Sequence, residues 1–183
     1  MKSEEFMAKS EILKPFILAF EGGFVNDPDD RGKQTNKGVT IATYRHVFGA
    51  GKTVTELKNI TDAEWDIVFR SMYWCQMRAD DIQDQSIANL MVDFAWASGV
   101  VRASKYLQKA VGTKQDGVVG AKTLKAVNGS DPKALFKTLH ALRESYIKAI
   151  AKGTQRKFLK GWTNRLNAIQ YGSLTYGGKK VEF

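Results

Sequence analysis

Most of the chain repeats apolar residues every three or four positions, the spacing of one face of an α-helix. The first stripe runs from Ile12 to Phe20 and stops at a pair of glycines. Later stripes cover residues 61–74, 87–94, 103–110, 135–146 and 158–169. No succession of alternating strands accompanies them. The sequence therefore predicts a mainly α fold, with at most a short β-hairpin around residues 24–40.

Two of these stripes begin with recognisable start signals. Thr61 and Glu64 have the spacing of a capping box, which predicts a helix from here through Tyr73 and Trp74. Asp131 followed by Pro132 is typical of a cap with proline at the first helical position. Asp116-Gly117 and Gly120 indicate either a turn before a further helix or a ligand-binding loop.

The chain has 183 residues, enough for one domain or two small ones that share a core. Its charge is unevenly distributed. Residues 1–91 carry 11 basic and 14 acidic side chains, whereas residues 92–183 carry 17 basic and 5 acidic ones. Such a split is typical of a C-terminal surface that meets a polyanion: nucleic acid, anionic lipid or an anionic wall polymer. A basic surface without a partner explains it equally well.

Metal and thiol chemistry have little support in the sequence. The two histidines, His46 and His140, lie far apart, and the single cysteine, Cys75, belongs to no CxxC motif. We therefore expect no metal site and no cofactor. Cys75 lies in an apolar-looking segment, which favours a buried free thiol over a catalytic one.

The carboxylates are more informative. Glu21 directly follows the first apolar stripe and precedes Gly22-Gly23, so it is expected at the end of a core helix, where partial burial disfavours its charged form. Asp30 lies nine residues further on, in a polar turn-rich segment where it stays ionised. Two carboxyls in contrasting environments are what cleavage of a glycosidic bond requires. The alternative is that Glu21 caps or salt-bridges a helix end and that Asp30 forms a turn.

The sequence also resembles a known enzyme family along roughly residues 10–170. The run Glu21-Gly22-Gly23-Phe24-Val25-Asn26-Asp27-Pro28, followed by residues 35–40, is similar to the N-terminal signature of the glycoside hydrolase family 108 N-acetylmuramidases, lysozyme-like enzymes of phages and bacteria. Further matching motifs lie at residues 73–74, 79–80, 93–95, 98–99, 107–112, 116–123 and 161–165. Residues 116–123 resemble the peptidoglycan-binding region of that family.

The resemblance implies a lysozyme-like helical fold that hydrolyses the β-1,4 bond between N-acetylmuramic acid and N-acetylglucosamine. Glu21 matches the catalytic glutamate of the family and is expected to protonate the leaving oxygen. Asp30 fits the second position of a pattern in many phage lysozymes, Glu-x8-Asp-x5-Thr. The third position of that pattern falls on Asn36, with Thr35 beside it. Thr40 is an alternative group for positioning water, although it equally fits an N-cap.

Four residues are candidates for contacting sugar rings, although core packing is the more common role of aromatic side chains at such positions. They are Phe24, Asn36, Tyr73 and Trp74, of which Tyr73 and Trp74 belong to a matching motif. Trp65 and Trp96 are further aromatic side chains that could offer a flat face to a sugar ring.

We expect a catalytic region at residues 1–92 and a helical peptidoglycan-binding region at 93–183 packed on it. The expected partner is the peptidoglycan glycan strand, without nucleic acid, and the protein is expected to be a monomer. Two alternatives stay open: a lytic transglycosylase, or a non-catalytic wall-binding or secretion-associated protein.

The N-terminal segment does not resemble a secretory signal, and residues 12–20 are too short to span a bilayer. We therefore expect synthesis in the cytoplasm without a signal peptide and without stable membrane insertion. Action in the periplasm or at the cell wall then requires release, for example through a phage holin.

Overall fold

The computed structural model describes residues 7–26 and 34–183. Within them the chain is mainly α-helical, which confirms the predicted fold class. The helices are α1 (Ser10–Phe20), α2 (Ile41–Phe48), α3 (Val54–Lys58), α4 (Asp62–Phe69), α5 (Gln85–Ser98), α6 (Val100–Ala110), α7 (Ala121–Gly129), α8 (Pro132–Ile150) and α9 (Leu159–Asn167). The strands are β1 (Val25–Asn26), β2 (Gln34–Asn36), β3 (Val39–Thr40), β4 (Ile169–Gln170), β5 (Ser173–Tyr176) and β6 (Lys179–Glu182). Short 3-10 turns cover Ala79–Asp81 and Gly153–Phe158.

Helix α5 lies at the centre of the fold. Ten consecutive residues, from Ser86 to Ala95, are buried, and the helix packs against α6 and α8. The buried apolar side chains of the N-terminal and C-terminal parts belong to one continuous cluster. The two expected regions, 1–92 and 93–183, therefore share a hydrophobic core, and that boundary itself stays a prediction.

The predicted caps are confirmed. Thr61 and Glu64 form a complete capping box at α4, and the Asp131 side chain accepts the Ala134 N–H at the start of α8. Gly120 precedes α7 as predicted. The loop before Gly120 forms a turn that is stabilised by its own side chain, because Asp116 accepts the Val118 N–H at 3.0 Å.

Helix α4 continues into a π-helical segment, Arg70–Trp74. The Cys75 N–H donates to the Arg70 carbonyl at 2.8 Å, five residues back. This wider turn places Phe69 and Trp74 on the same buried face and leaves Cys75 exposed. The prediction of a buried thiol is therefore wrong, since an ordinary helical period does not hold through this segment.

The N-terminal sheet has the order β1-β2-β3, with both pairs antiparallel. The β2–β3 hairpin turns through Lys37 and Gly38, both at positive φ, as a two-residue type I′ turn requires. This sheet lies where the sequence predicted a hairpin.

A second antiparallel sheet, β4-β5-β6, follows α9, and it differs from the helix predicted for residues 158–169. Ile169 was assigned to the last helical stripe, but α9 ends at Asn167 and Ile169 begins β4. Gly177 and Gly178, both at positive φ, form the turn between β5 and β6. Strand β5 packs against α1, so the C-terminal sheet contacts the helix that precedes Glu21.

None of the described helices combines the length and the unbroken apolar character needed to cross a bilayer.

Candidate active site

Glu21 is the first residue after α1. Its backbone is extended, at φ −90° and ψ 141°, while its N–H still donates to the carbonyls of Ile17 and Leu18 at 3.1 and 3.3 Å. Because α1 is anchored through its buried face, the position at which the Glu21 side chain leaves the helix is well defined. The two exposed glycines that follow leave the space beside it open.

One oxygen of the Glu21 carboxyl is held by two charged or polar donors. The Trp96 indole Nε1 and the Arg165 Nη1 each donate to Oε1 at 2.9 Å. The side chain keeps 18% of its accessible surface. No described residue donates to Oε2, so this oxygen is available to exchange a proton with a bound molecule.

The β2–β3 turn closes one side of the carboxyl. A Cβ added at Gly38 would lie 2.7 Å from the Glu21 Cδ and Oε2 and 2.7 Å from the Trp96 ring. The turn is itself fixed, because the Trp65 indole donates to the Lys37 carbonyl at 3.0 Å. Glycine is therefore required at position 38 both for its φ of +78° and for the close approach of the carboxyl.

Arg165 is held in turn by Asp93. Its Nε and Nη2 donate to the Asp93 Oδ1 at 3.0 and 2.8 Å, and Arg143 Nη2 donates to Oδ2 at 2.6 Å. Asp93 is completely buried, which opposes its charged form. The attraction of Arg143 and Arg165 and their hydrogen bonds outweigh this and hold the pKa of Asp93 below its ordinary value. Glu21, Arg165, Asp93 and Arg143 thus form one ion network.

Aromatic rings surround the Trp96 indole. Tyr73 lies 4.7 Å from it between ring centroids, Trp65 5.5 Å and Phe69 6.2 Å. Burial raises the pKa of Tyr73, and the negative charge of Glu21 raises it further, so its hydroxyl stays protonated at neutral pH. Tyr73 is the predicted sugar-contacting residue that lies within electrostatic reach of Glu21.

The other predicted residues have the following places. Phe24 is half-buried, with the Lys58 ammonium 4.5 Å from its ring centroid. Asp30 lies outside the described residues. The Thr40 side chain accepts the Thr43 N–H at 3.1 Å as the N-cap of α2, which confirms the capping alternative.

Two predicted sugar contacts are inconsistent with the structure. Asn36 is buried and donates through Nδ2 to the carbonyls of Leu57 and Lys58, so its amide joins β2 to α3. Trp74 is fully buried, and its indole donates to Asp80 at 2.7 Å, so it offers no face to a ligand. Thr35, whose side chain leaves β2 on the side opposite Asn36, keeps partial exposure.

Trp96 was expected only as a possible aromatic face for sugar, not as a partner of Glu21. Sequence reasoning missed three further residues that shape the site: Gly38, Asp93 and Arg165. Each lies in or next to a segment already noted for its resemblance, but no role was assigned to them. Asp93 carried a physical signal of its own, because a carboxylate inside an apolar helical stripe must be paired. The sequence could not say that its partners lie 50 and 72 residues further on.

Among residues 7–26 and 34–183, no three His, Cys, Asp or Glu side chains come together in a group that could hold a metal ion. The described residues can transfer a proton at the Glu21 carboxyl, which is positioned by Arg165 and the Trp96 indole.

Comparison with known proteins identifies the family. The sequence model of Glycosyl hydrolase 108 matches residues 14–99, and that of the Predicted Peptidoglycan domain matches residues 102–167. The solved structure of SagA from Brucella abortus is 37% identical, with a TM-score of 0.75 over 85% of this chain and 87% of that chain. The chain belongs to glycosyl hydrolase family 108. A comparison with curated proteins finds no match.

Both halves of the ion network lie inside the matched regions. Glu21 and Asp93 belong to the Glycosyl hydrolase 108 match, whereas Arg143 and Arg165 belong to the Predicted Peptidoglycan domain match. This family 108 glycoside hydrolase therefore builds its candidate active site from both regions.

Proposed function

We propose that this family 108 protein is an N-acetylmuramidase that hydrolyses the β-1,4 bond between N-acetylmuramic acid and N-acetylglucosamine, with Glu21 as the general acid. The observation that carries the proposal is the Glu21 carboxyl itself: Oε1 is fixed by Trp96 and Arg165, while Oε2 accepts no hydrogen bond from a described residue. A family match to a glycosyl hydrolase and a neighbouring peptidoglycan domain supports the substrate class.

In this mechanism the proton leaves from Oε2. A protonated Glu21 donates it to the glycosidic oxygen as that bond breaks, and the resulting carboxylate is stabilised by Arg165 and by the Trp96 N–H. The hydrogen bonds to Oε1 keep the carboxyl from rotating away from the substrate. The network thereby reduces the entropic cost of bringing the proton donor into position.

We propose Asp30 as the second catalytic group. The Thr40 hydroxyl is already engaged at the start of α2, which disfavours it as the group that positions water. An ionised Asp30 would either activate water or stabilise the positive charge that develops on the sugar ring. The distance between the two carboxyls determines whether the anomeric configuration is retained or inverted.

We further propose that the basic C-terminal region holds the enzyme on the anionic wall, and that the protein acts there after release from the cytoplasm. The excess of basic side chains after residue 91 provides the long-range attraction.

The test compares clearing of purified peptidoglycan by the wild type and by Glu21→Gln, followed by mass analysis of the released fragments. We expect a loss of at least about 100-fold in Glu21→Gln, since general acid catalysis contributes roughly 10²–10⁴-fold. Glu182→Gln is the matched control, because Glu182 is exposed and its ion pair is with Lys180 rather than with the network. Circular dichroism and thermal unfolding establish that both variants are folded.

The fragments distinguish the alternatives. Reducing muramic acid ends support hydrolysis, whereas anhydro ends would identify a lytic transglycosylase. Full activity of Glu21→Gln would refute the assignment of Glu21. Binding to the wall without any clearing would favour the non-catalytic protein.

A further inference from the structure

A cavity of about 330 Å³ lies next to the candidate active site, between the end of α5 and helices α6, α8 and α9. Its lining includes Ser98, Arg102, Tyr146, Ile150, Trp162 and Arg165. Among the residues that the structure describes, none with a carboxylate side chain lines it. The cavity thus combines apolar and aromatic walls with guanidinium groups.

Arg102 is the guanidinium in this cavity that pairs with no acidic side chain in the described part of the chain. It is exposed, donates to the Tyr146 hydroxyl at 2.8 Å and lies 5.2 Å from the centroid of that ring. Among residues 7–26 and 34–183, no carboxylate oxygen lies within 4 Å of it. The other two arginines of the lining, Arg143 and Arg165, are already paired with Asp93 and Glu21. A ligand with a carboxylate would give Arg102 the kind of acidic partner that Arg143 and Arg165 already have.

The cavity and the Glu21 carboxyl share one side chain. Arg165 lines the cavity and also donates to Glu21 at 2.9 Å. The cavity and the Glu21 carboxyl are therefore separated by a single side chain. Trp162, which lines the cavity, packs on the exposed Phe158 with ring centroids 5.7 Å apart.

We propose that this cavity binds the stem peptide of peptidoglycan, with a peptide carboxylate on Arg102 and small apolar side chains against Ile150 and Trp162. The inference rests on the proposed function, because it names the peptide part of that substrate, which is not cut by Glu21. Muramic acid carries the peptide on its lactyl group, so the peptide hangs beside the bond that is cut. The peptide is short, contains alanine and ends in free carboxylates. These features match apolar walls beside a guanidinium that has no carboxylate partner among the described residues.

The first measurement compares rates on two substrates: purified peptidoglycan, and the same glycan stripped of its peptides by an amidase. We expect the wild type to prefer the peptide-bearing glycan. Arg102→Ala should reduce this preference roughly tenfold, the scale of one hydrogen-bonded charge pair. Arg102→Lys should retain part of it. Lys109→Ala is the matched control, since it removes one exposed cation from the same helix outside the cavity.

The second measurement needs no hydrolysis. Calorimetric titration with soluble N-acetylmuramyl tripeptide, beside a peptide-free N-acetylglucosamine tetramer, reports the cavity directly. We expect Arg102→Ala to weaken tripeptide binding roughly tenfold and to leave tetramer binding as in Lys109→Ala. Equal tripeptide affinity in Arg102→Ala and Lys109→Ala overturns the inference even if the protein is a muramidase. A tripeptide-specific loss supports it even if neither glycan is cleaved, an outcome that would refute only the proposed activity.

Discussion

Replacing Asp93 with asparagine tests whether the buried network holds the active site together. The substitution keeps the size of the side chain but removes the charge between Arg143 and Arg165. The new amide also presents N–H donors to guanidinium groups that are themselves donors. Two cations, of which Arg143 keeps only 4% of its side-chain surface, then lose their shared counter-ion.

The expected cost is about 3–5 kcal/mol of unfolding free energy, the usual result of removing one partner of a buried ion pair. In a chain of this length it lowers the melting temperature by about 6–20 °C. The loss also has a pH dependence. Because the pKa of Asp93 is lower in the folded state than the ordinary value of about 4, its ionised form stabilises the wild type above that pH. This stabilisation is lost as the pH falls through the folded-state pKa.

The assay is chemical denaturation of the wild type and Asp93→Asn between pH 3 and 8. The difference in unfolding free energy should be full and constant above about pH 5 and should shrink below about pH 4. Asp62→Asn is the control, because its carboxylate is 93% exposed and its pairing with Lys37 should contribute less than about 1 kcal/mol. A loss under about 1 kcal/mol in Asp93→Asn, or one that is the same at pH 3 and pH 7, would refute the reasoning.

Two further substitutions probe the immediate surroundings of the carboxyl. Gly38→Ala should displace Glu21, since the new Cβ would lie 2.7 Å from the carboxyl carbon. We expect a large loss in a turnover assay. Gly51→Ala is the control and should keep its turnover, because the space around Gly51 is open. Trp96→Phe removes the indole N–H from Oε1 and should lower turnover about tenfold, the scale of a hydrogen bond to a charged group. Trp65→Phe, whose indole N–H does not reach Glu21, should affect thermal stability more than turnover, and an equal loss of turnover would contradict this assignment.

Local signals in the sequence were sufficient for much of the fold. The capping box at Thr61 and the Asp131-Pro132 start each placed a helix, because caps and apolar period act within a few residues. The C-terminal sheet was not predicted, although Gly177-Gly178 is a hairpin signal. The apolar stripe at residues 158–169 has helical spacing, and it extended the predicted helix into β4. No local sequence signal predicts the π-helical turn at residues 70–74. This turn determines that Trp74 is buried while the neighbouring Cys75 is exposed.

The candidate site was predictable only in part. Glu21 followed from its place at the end of a core helix, and the structure puts it there. Its partners were not predictable from spacing, because Trp96 and Arg165 come from α5 and α9, 75 and 144 residues away. Only tertiary packing brings such residues together, and no local rule limits which arginine reaches which carboxylate.

The network links the candidate active site to the neighbouring cavity through one side chain. Arg165 contacts Glu21 through one nitrogen and Asp93 through two others, so any movement of α9 is transmitted to the carboxyl. The same side chain forms part of the cavity at α6 and α8. A ligand that fixes Arg165 from the cavity side therefore restricts Glu21 as well. In this arrangement the region matched as a peptidoglycan domain supplies Arg143 and Arg165 to the candidate active site.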